Sequence, residues 1–82
     1  MKQYTYKTWG TCCKAISFEL DDNDIVYNVK FFGGCAGNTI GVAKLCQGRS
    51  KAELIGILSG IKCGYKPTSC PDQLATALKQ VE

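Results

Sequence analysis

The chain has 82 residues, with ten Lys or Arg against seven Asp or Glu, a net charge of +3 and 45% hydrophobic residues. This length predicts one domain over residues 1–82, and a domain so small often needs a metal ion or disulfides to supplement its core. The hydrophobic content excludes a disordered chain. The basic residues are scattered, without the run typical of a nucleic-acid groove or a membrane-surface helix, so we predict no nucleic-acid and no membrane partner.

The amino terminus shows no targeting signal. Residues 1–7 contain no apolar stretch long enough for a signal peptide. The longest region without charge, residues 31–43, is interrupted by glycines and is not expected to span a membrane. We therefore predict a cytoplasmic protein, in whose reducing environment disulfides are the less expected use of cysteine.

The first half of the chain has the alternation of strands. Residues 3–9 indicate a short first strand, and residues 15–20 place three apolar side chains on one face, Ile16, Phe18 and Leu20. The acidic segment 21–24 is typical of a turn. Residues 25–32 then predict a third strand that makes a hairpin with the second, with one face formed by Ile25, Tyr27, Val29 and Phe31.

Three helices are predicted after the strands. Apolar spacing indicates the first over about residues 39–48. Ser50 and Glu53 fit a capping box at the start of the second, and Pro71 and Asp72 suit the first turn of the last. Strands followed by helices predict an α+β fold, with a three-stranded antiparallel sheet and about three helices packed on one face.

Cysteine is the residue type that carries the most chemistry here, because the chain has no histidine for a Ser–His or Cys–His pair. The spacing contains no C-x-x-C motif and matches no zinc ribbon or finger. Position in the predicted fold is more informative, since four thiols lie where elements begin or end: Cys12, Cys35, Cys63 and Cys70. A helix N-terminus favours the metal-binding thiolate form at Cys35 and Cys70. We predict that all four converge on one metal or iron–sulfur site.

The remaining two cysteines are interpreted differently. Cys46 lies on the apolar face of its predicted helix and is expected in the core. Cys13 follows Cys12 directly, and adjacent residues of an extended segment point opposite ways, so Cys13 is expected to pack or to lie at the surface. Burial as a small hydrophobic residue stays an alternative for each of the four predicted ligands. A thiol redox protein and a secreted disulfide scaffold stay alternatives for the chain.

Three sequence blocks resemble one protein family. Residues 68–75 contain the motif Thr-Ser-Cys-Pro-Asp that names the TSCPD domain family, and residues 33–38 and 60–64 resemble its other blocks. The resemblance covers nearly the whole chain and implies a single TSCPD-like domain over residues 1–82, with metal ligands at Cys12, Cys35, Cys63 and Cys70. It implies a small metal-binding module with an accessory or interaction role. Because members also occur at the C-terminus of ribonucleotide reductases, a reductase-associated role in deoxynucleotide synthesis, with a reductase subunit as partner, is the alternative.

A more distant likeness is to the U-type iron–sulfur assembly scaffolds. They also have cysteines before a hairpin, before a helix and at the start of the last helix, which correspond here to Cys12, Cys35 and Cys70. The scaffold has an aspartate where this chain has Lys14 and a histidine where it has Ser69. The fourth thiol, Cys63, would instead close a tetrahedral site, and closed sites are typically structural. The likeness thus implies a similar fold, with a cluster scaffold or carrier as an alternative function.

The ligand set limits the cofactor and the activity. Four thiolates accept zinc, which we expect, or alternatively iron or an iron–sulfur cluster. The isolated chain lacks the barrel and radical machinery of a reductase, so we predict no catalytic residue and do not expect enzyme activity from it. The oligomeric state stays open, with a homodimer among the options.

Overall fold

The computed structural model describes residues 1–10, 13–33, 36–62 and 68–81. Three strands come first, β1 (Lys2–Lys7), β2 (Cys13–Leu20) and β3 (Val26–Gly33), followed by three helices, α1 (Ala36–Cys46), α2 (Lys51–Leu58) and α3 (Cys70–Gln80). The strands form one antiparallel sheet in the order β1-β2-β3. The predicted α+β fold is confirmed. Within the ranges given above, no helix has the length and apolar character needed to cross a membrane.

The acidic turn closes the β2–β3 hairpin as predicted. The Asp21 carboxylate accepts hydrogen bonds from the backbone N–H groups of Asn23 and Ile25, both at 2.9 Å. The Asp24 carbonyl accepts a hydrogen bond from the Lys51 N–H at 2.8 Å. The hairpin turn is therefore connected to the first residue of α2.

The side-chain alternation predicted for β3 is wrong in its first half. Val26 is fully buried, whereas Ile25 and Tyr27 are only partly covered. The β2–β3 register shifts by one residue in this region, and Asn28 takes a φ of 53°. Such a bulge inserts one residue and reverses the alternation beyond it, so both Val26 and Val29 face the core.

A serine hydroxyl caps each of the last two helices; the cap at Ser50 was predicted, whereas the cap at Ser69 was not. The Ser50 hydroxyl accepts a hydrogen bond from the Glu53 N–H at 3.1 Å, and the Glu53 carboxylate forms an ion pair with Arg49 at 3.2 Å. The Ser69 hydroxyl accepts a hydrogen bond from the Asp72 N–H at 3.2 Å. These caps satisfy amides that have no partner within the helix, and the Ser69 cap places Cys70 in the first turn of α3.

The core joins one face of the sheet to the helices. Its largest fully buried side chains are Phe18, Ile16, Leu74, Leu78, Gln73, Val26 and Cys46. The prediction that Cys46 lies in the core is confirmed. Burial raises the pKa of the Cys46 thiol to about 11, an effect that Arg49 partly offsets. This thiol is therefore protonated at neutral pH, as expected of a cysteine that serves as a core residue.

Candidate metal centre

Cys70 is the one predicted ligand within the described residues, and Cys12, Cys35 and Cys63 lie outside them. Cys70 is 7% exposed and begins the buried stripe of α3. No three Cys, Asp or Glu side chains in the described ranges are grouped to hold a metal ion, and those ranges contain a single member of the predicted set. The residues that flank all four cysteines do have described positions.

The β2–β3 ladder brings the flanks of Cys12 and Cys35 together. Cys13, which follows Cys12, lies opposite Gly33 in the antiparallel register. Residues opposite each other in such a ladder have Cα atoms about 4.5 to 5.5 Å apart. Gly33 takes a φ of 87°, a conformation that favours glycine, and it is the last residue of β3. The chain therefore enters β2 and leaves β3 at one end of the sheet.

Cys13 itself is a packing residue, in agreement with one of the two roles predicted for it. Its side chain is 3% exposed and belongs to the hydrophobic core. A second irregularity in the β2–β3 register lies between Cys13 and Ala15. The extra residue places Cys13 on the core face with Ile16, where simple alternation would have placed it on the other face.

The Gln73 side chain connects α3 to the segment that precedes Cys12. It is 2% exposed, its Nε2 donates to the Thr68 Oγ1 at 3.1 Å, and its Oε1 accepts from the Trp9 N–H at 3.3 Å. Both ends of the buried amide are thus hydrogen-bonded, as a buried polar group requires. Trp9 lies three residues before Cys12, so this contact joins the flanks of Cys12 and Cys70.

The Ser69 hydroxyl connects the start of α3 to the segment that precedes Cys63. In addition to its capping role, it donates a hydrogen bond to the Ile61 carbonyl at 2.6 Å. Ile61 lies two residues before Cys63, and Ser69 lies directly before Cys70. This contact therefore joins the flanks of Cys63 and Cys70.

The Asp72 carboxylate adds a second connection to the end of α2. Its Oδ1 accepts from the Gly60 N–H at 2.7 Å, and its Oδ2 accepts from the Thr68 hydroxyl at 2.5 Å. The Thr68 hydrogen bond is the main cause that lowers the pKa of Asp72 from its usual value, aided by the Gly60 amide and the charges of Lys79 and Lys62, whereas burial acts in the opposite direction. Asp72 is therefore ionised at neutral pH, which also suits its place at a helix N-terminus.

A pH dependence follows for Asp72→Asn. Because the pKa of Asp72 is lower in the folded than in the unfolded chain, its ionised form stabilises the fold above the ordinary Asp pKa of 3.8. That contribution disappears as the pH falls through the folded-state pKa. We expect urea unfolding to show a lower stability for Asp72→Asn at pH 7 and a smaller difference from the native protein below pH ~4. A difference that is unchanged between these pH values would contradict the assigned role of the charge.

From the sequence, Asp72 was expected only to complement the dipole of the last helix, and no role was predicted for the Ser69 hydroxyl or for Gln73. The signal for Gln73 lies in the spacing of α3, because Gln73 belongs to its buried face, which consists of Cys70, Gln73, Leu74, Ala75, Ala77 and Leu78. A glutamine in that stripe indicates a buried polar group with specific partners. The identity of those partners could not be obtained from the spacing.

These contacts define a small α+β domain in which polar side chains anchor the start of the last helix to two other segments. The family model of the TSCPD domain matches residues 2–82. The chain belongs to the TSCPD domain family. No curated protein and no solved structure matches it, so the likeness to U-type scaffolds stays a prediction. The motif residues Thr68, Ser69 and Asp72 all take part in the polar contacts described above.

Proposed function

We propose that this domain is a small metal-binding module in which one ion or small cluster is held by Cys12, Cys35, Cys63 and Cys70. The observation that carries the proposal is the convergence of the flanking segments. The pairing of Cys13 with Gly33 connects the residues that flank Cys12 and Cys35. The Gln73–Trp9 contact connects the flanks of Cys70 and Cys12, and the Ser69–Ile61 contact those of Cys70 and Cys63.

Each of the four proposed ligands is close in sequence to a residue that makes one of these contacts. Cys12 and Cys70 adjoin a contact residue, and Cys35 and Cys63 are each two residues from one. Since consecutive Cα atoms are 3.8 Å apart, no ligand Cα is farther than about 7.6 Å from a residue in the connected set. These short separations support the proposal that four segments distant in sequence share one centre.

The donor chemistry fits a closed thiolate site. Four cysteines in a chain without histidine form a ligand set for zinc, which we favour, or for iron or an iron–sulfur cluster. A zinc ion with four thiolates has a formal charge of −2, which the N-terminus of α3 and the +3 chain offset. Bound metal would supply cross-links between four segments of a small core. We infer a structural site in an accessory or interaction domain that acts in a reducing compartment such as the cytoplasm.

Metal analysis of protein purified without oxygen tests this function. We expect about one equivalent of zinc, or iron with visible absorption if a cluster is bound. Serine at any one of the four proposed positions should reduce metal affinity at least about tenfold, because serine does not supply a thiolate. Cys46→Ala is the matched control and should retain the metal, because Cys46 is buried in the core.

Two results would contradict the proposal. One is native protein without metal in which all six thiols react with a thiol reagent after unfolding. The other is loss of metal from Cys46→Ala together with retention in Cys63→Ser and Cys70→Ser. Because the core role of Cys46 is established by its burial, this comparison separates ligand loss from general destabilisation.

A further inference from the structure

The outer edge of β1, meaning the side of the strand that faces away from β2, has no partner strand in the part of the chain that the structure describes. β1 lies at one side of the sheet. The other edge strand, β3, is bordered at its start by the connection between α1 and α2, since Val26 exchanges 2.8 Å backbone hydrogen bonds with Gly48 and Arg49. An open strand edge is a template for pairing with a further strand.

One hydrogen bond determines which backbone groups of β1 point outward. The Thr8 N–H donates to the Lys14 carbonyl at 3.2 Å, and these residues are opposite each other if the β1–β2 register is continued by one residue. In an antiparallel ladder the hydrogen-bonded pairs recur at every second residue. The even-numbered residues of β1 therefore direct their backbone groups to β2, and the outward N–H and C=O groups belong to Gln3, Thr5 and Lys7.

We propose that the outer edge of β1 pairs antiparallel with the same edge of a second copy of this chain, about a twofold axis at Thr5. In this register Thr5 is opposite Thr5 of the second copy, and Gln3 is opposite Lys7. All of these residues have outward backbone groups, so each pair exchanges both of its hydrogen bonds. In a register shifted by one residue, the outward N–H and C=O groups of one copy would face residues of the other copy whose backbone groups already bond to β2. The two three-stranded sheets thereby become one continuous sheet.

The aromatic side chains of β1 match in this register. Tyr4 lies opposite Tyr6 of the second copy, and such aromatic cross-strand pairs stabilise a sheet. Both tyrosines are half-buried and pack against the core, and Tyr4 stacks on Phe18 with ring centroids 5.6 Å apart. A groove of about 380 Å³ lies beside them and is lined by Ala77 and Gln80 of α3. The core face of the sheet thus continues across the twofold axis, and the groove leaves room for the tyrosine rings of both copies.

The charges of β1 also permit this pairing. Lysine on an edge strand commonly opposes association because like charges meet. Here Lys7 lies opposite Gln3, and Lys2 lies opposite Thr8, so no two lysines face each other directly. The pairing uses no cysteine and is independent of the metal proposal.

Sedimentation equilibrium of the native protein, as purified, tests the dimer. We expect a monomer–dimer equilibrium whose dissociation constant rises on the order of a hundredfold in Thr5→Pro, because proline removes one outward N–H from each copy. That N–H does not bond to β2, so the monomer should keep its circular dichroism spectrum. Thr5→Val is the matched control; it keeps the N–H group and the strand propensity and should dimerise like the native protein.

Amide hydrogen exchange measured by NMR reports the register directly. In the dimer the N–H groups of Gln3, Thr5 and Lys7 should be protected, and this protection should fall on dilution. Native protein that sediments as a monomer throughout would overturn the proposal. So would a dimer that survives Thr5→Pro and whose Thr5 amide exchanges as fast as an unpaired one.

Discussion

If the proposed metal is bound, its removal by a chelator is expected to unfold this domain at room temperature. Structural zinc–thiolate sites contribute about 10 to 16 kcal/mol to folding, whereas a small domain has a net stability of roughly 5 kcal/mol. Loss of the proposed ion would remove the cross-links among the Cys12, Cys35, Cys63 and Cys70 segments. The measurement is far-ultraviolet circular dichroism and urea unfolding under reducing conditions, before and after a chelator is added in excess.

Two controls accompany the chelation experiment: metal is added back to the native protein, and a variant that lacks one proposed ligand is treated in the same way. One equivalent of metal added back should recover the native spectrum. Cys70→Ser should lose its metal at a lower chelator concentration than the native protein, because one proposed ligand is missing. Metal-depleted native protein that unfolds cooperatively at an unchanged urea concentration would show that the ion does not hold the fold together.

Gln73→Leu is expected to lower the free energy of unfolding by about 2 kcal/mol and to weaken metal binding. Leucine fills most of the buried volume but removes the hydrogen bonds to Thr68 and to the Trp9 N–H. Net losses of about 1 kcal/mol for each buried hydrogen bond give this magnitude. Metal affinity should fall because the segment before Cys12 loses its connection to α3. Urea unfolding and competition with a chromophoric chelator measure the two effects.

Gln80→Leu is the matched control for the Gln73 variant. It makes the same chemical change on the same helix at an exposed position, where substitutions usually change stability by less than about 0.5 kcal/mol. If both variants bind metal with native affinity, the Gln73–Trp9 contact does not position the ligands. If Gln80→Leu is the more harmful of the two, the buried amide is not the source of the stability.

The features that were predicted correctly depend on residues close together in the chain. The Asp21 carboxylate bonds within its own turn, the Ser50 hydroxyl bonds an amide three residues later, and Pro71 and Asp72 lie in the first turn of α3. Turn and cap preferences act over such short distances and are visible in the sequence. The hairpin and the starts of the last two helices could therefore be predicted.

The bulges and the buried glutamine could not be predicted from the same information. The direction of Val26 depends on how β3 pairs with β2, and the burial of Cys13 depends on a second shift in that register. Periodicity alone assumes an uninterrupted ladder, and one extra residue reverses the faces beyond it. The neighbours of Gln73 were hidden because Trp9 is 64 residues away in sequence.

By itself the sequence determined the α+β order of elements, the TSCPD family and the four candidate cysteines, because composition, local periodicity and motif are properties of consecutive residues. The tertiary structure decided that the flanks of those cysteines form one connected set through Gly33, Gln73 and Ser69. It also decided that β1 is an edge strand, without a partner strand on its outer side among the described residues. Both results depend on strand register and helix packing, which are contacts between residues far apart in the chain.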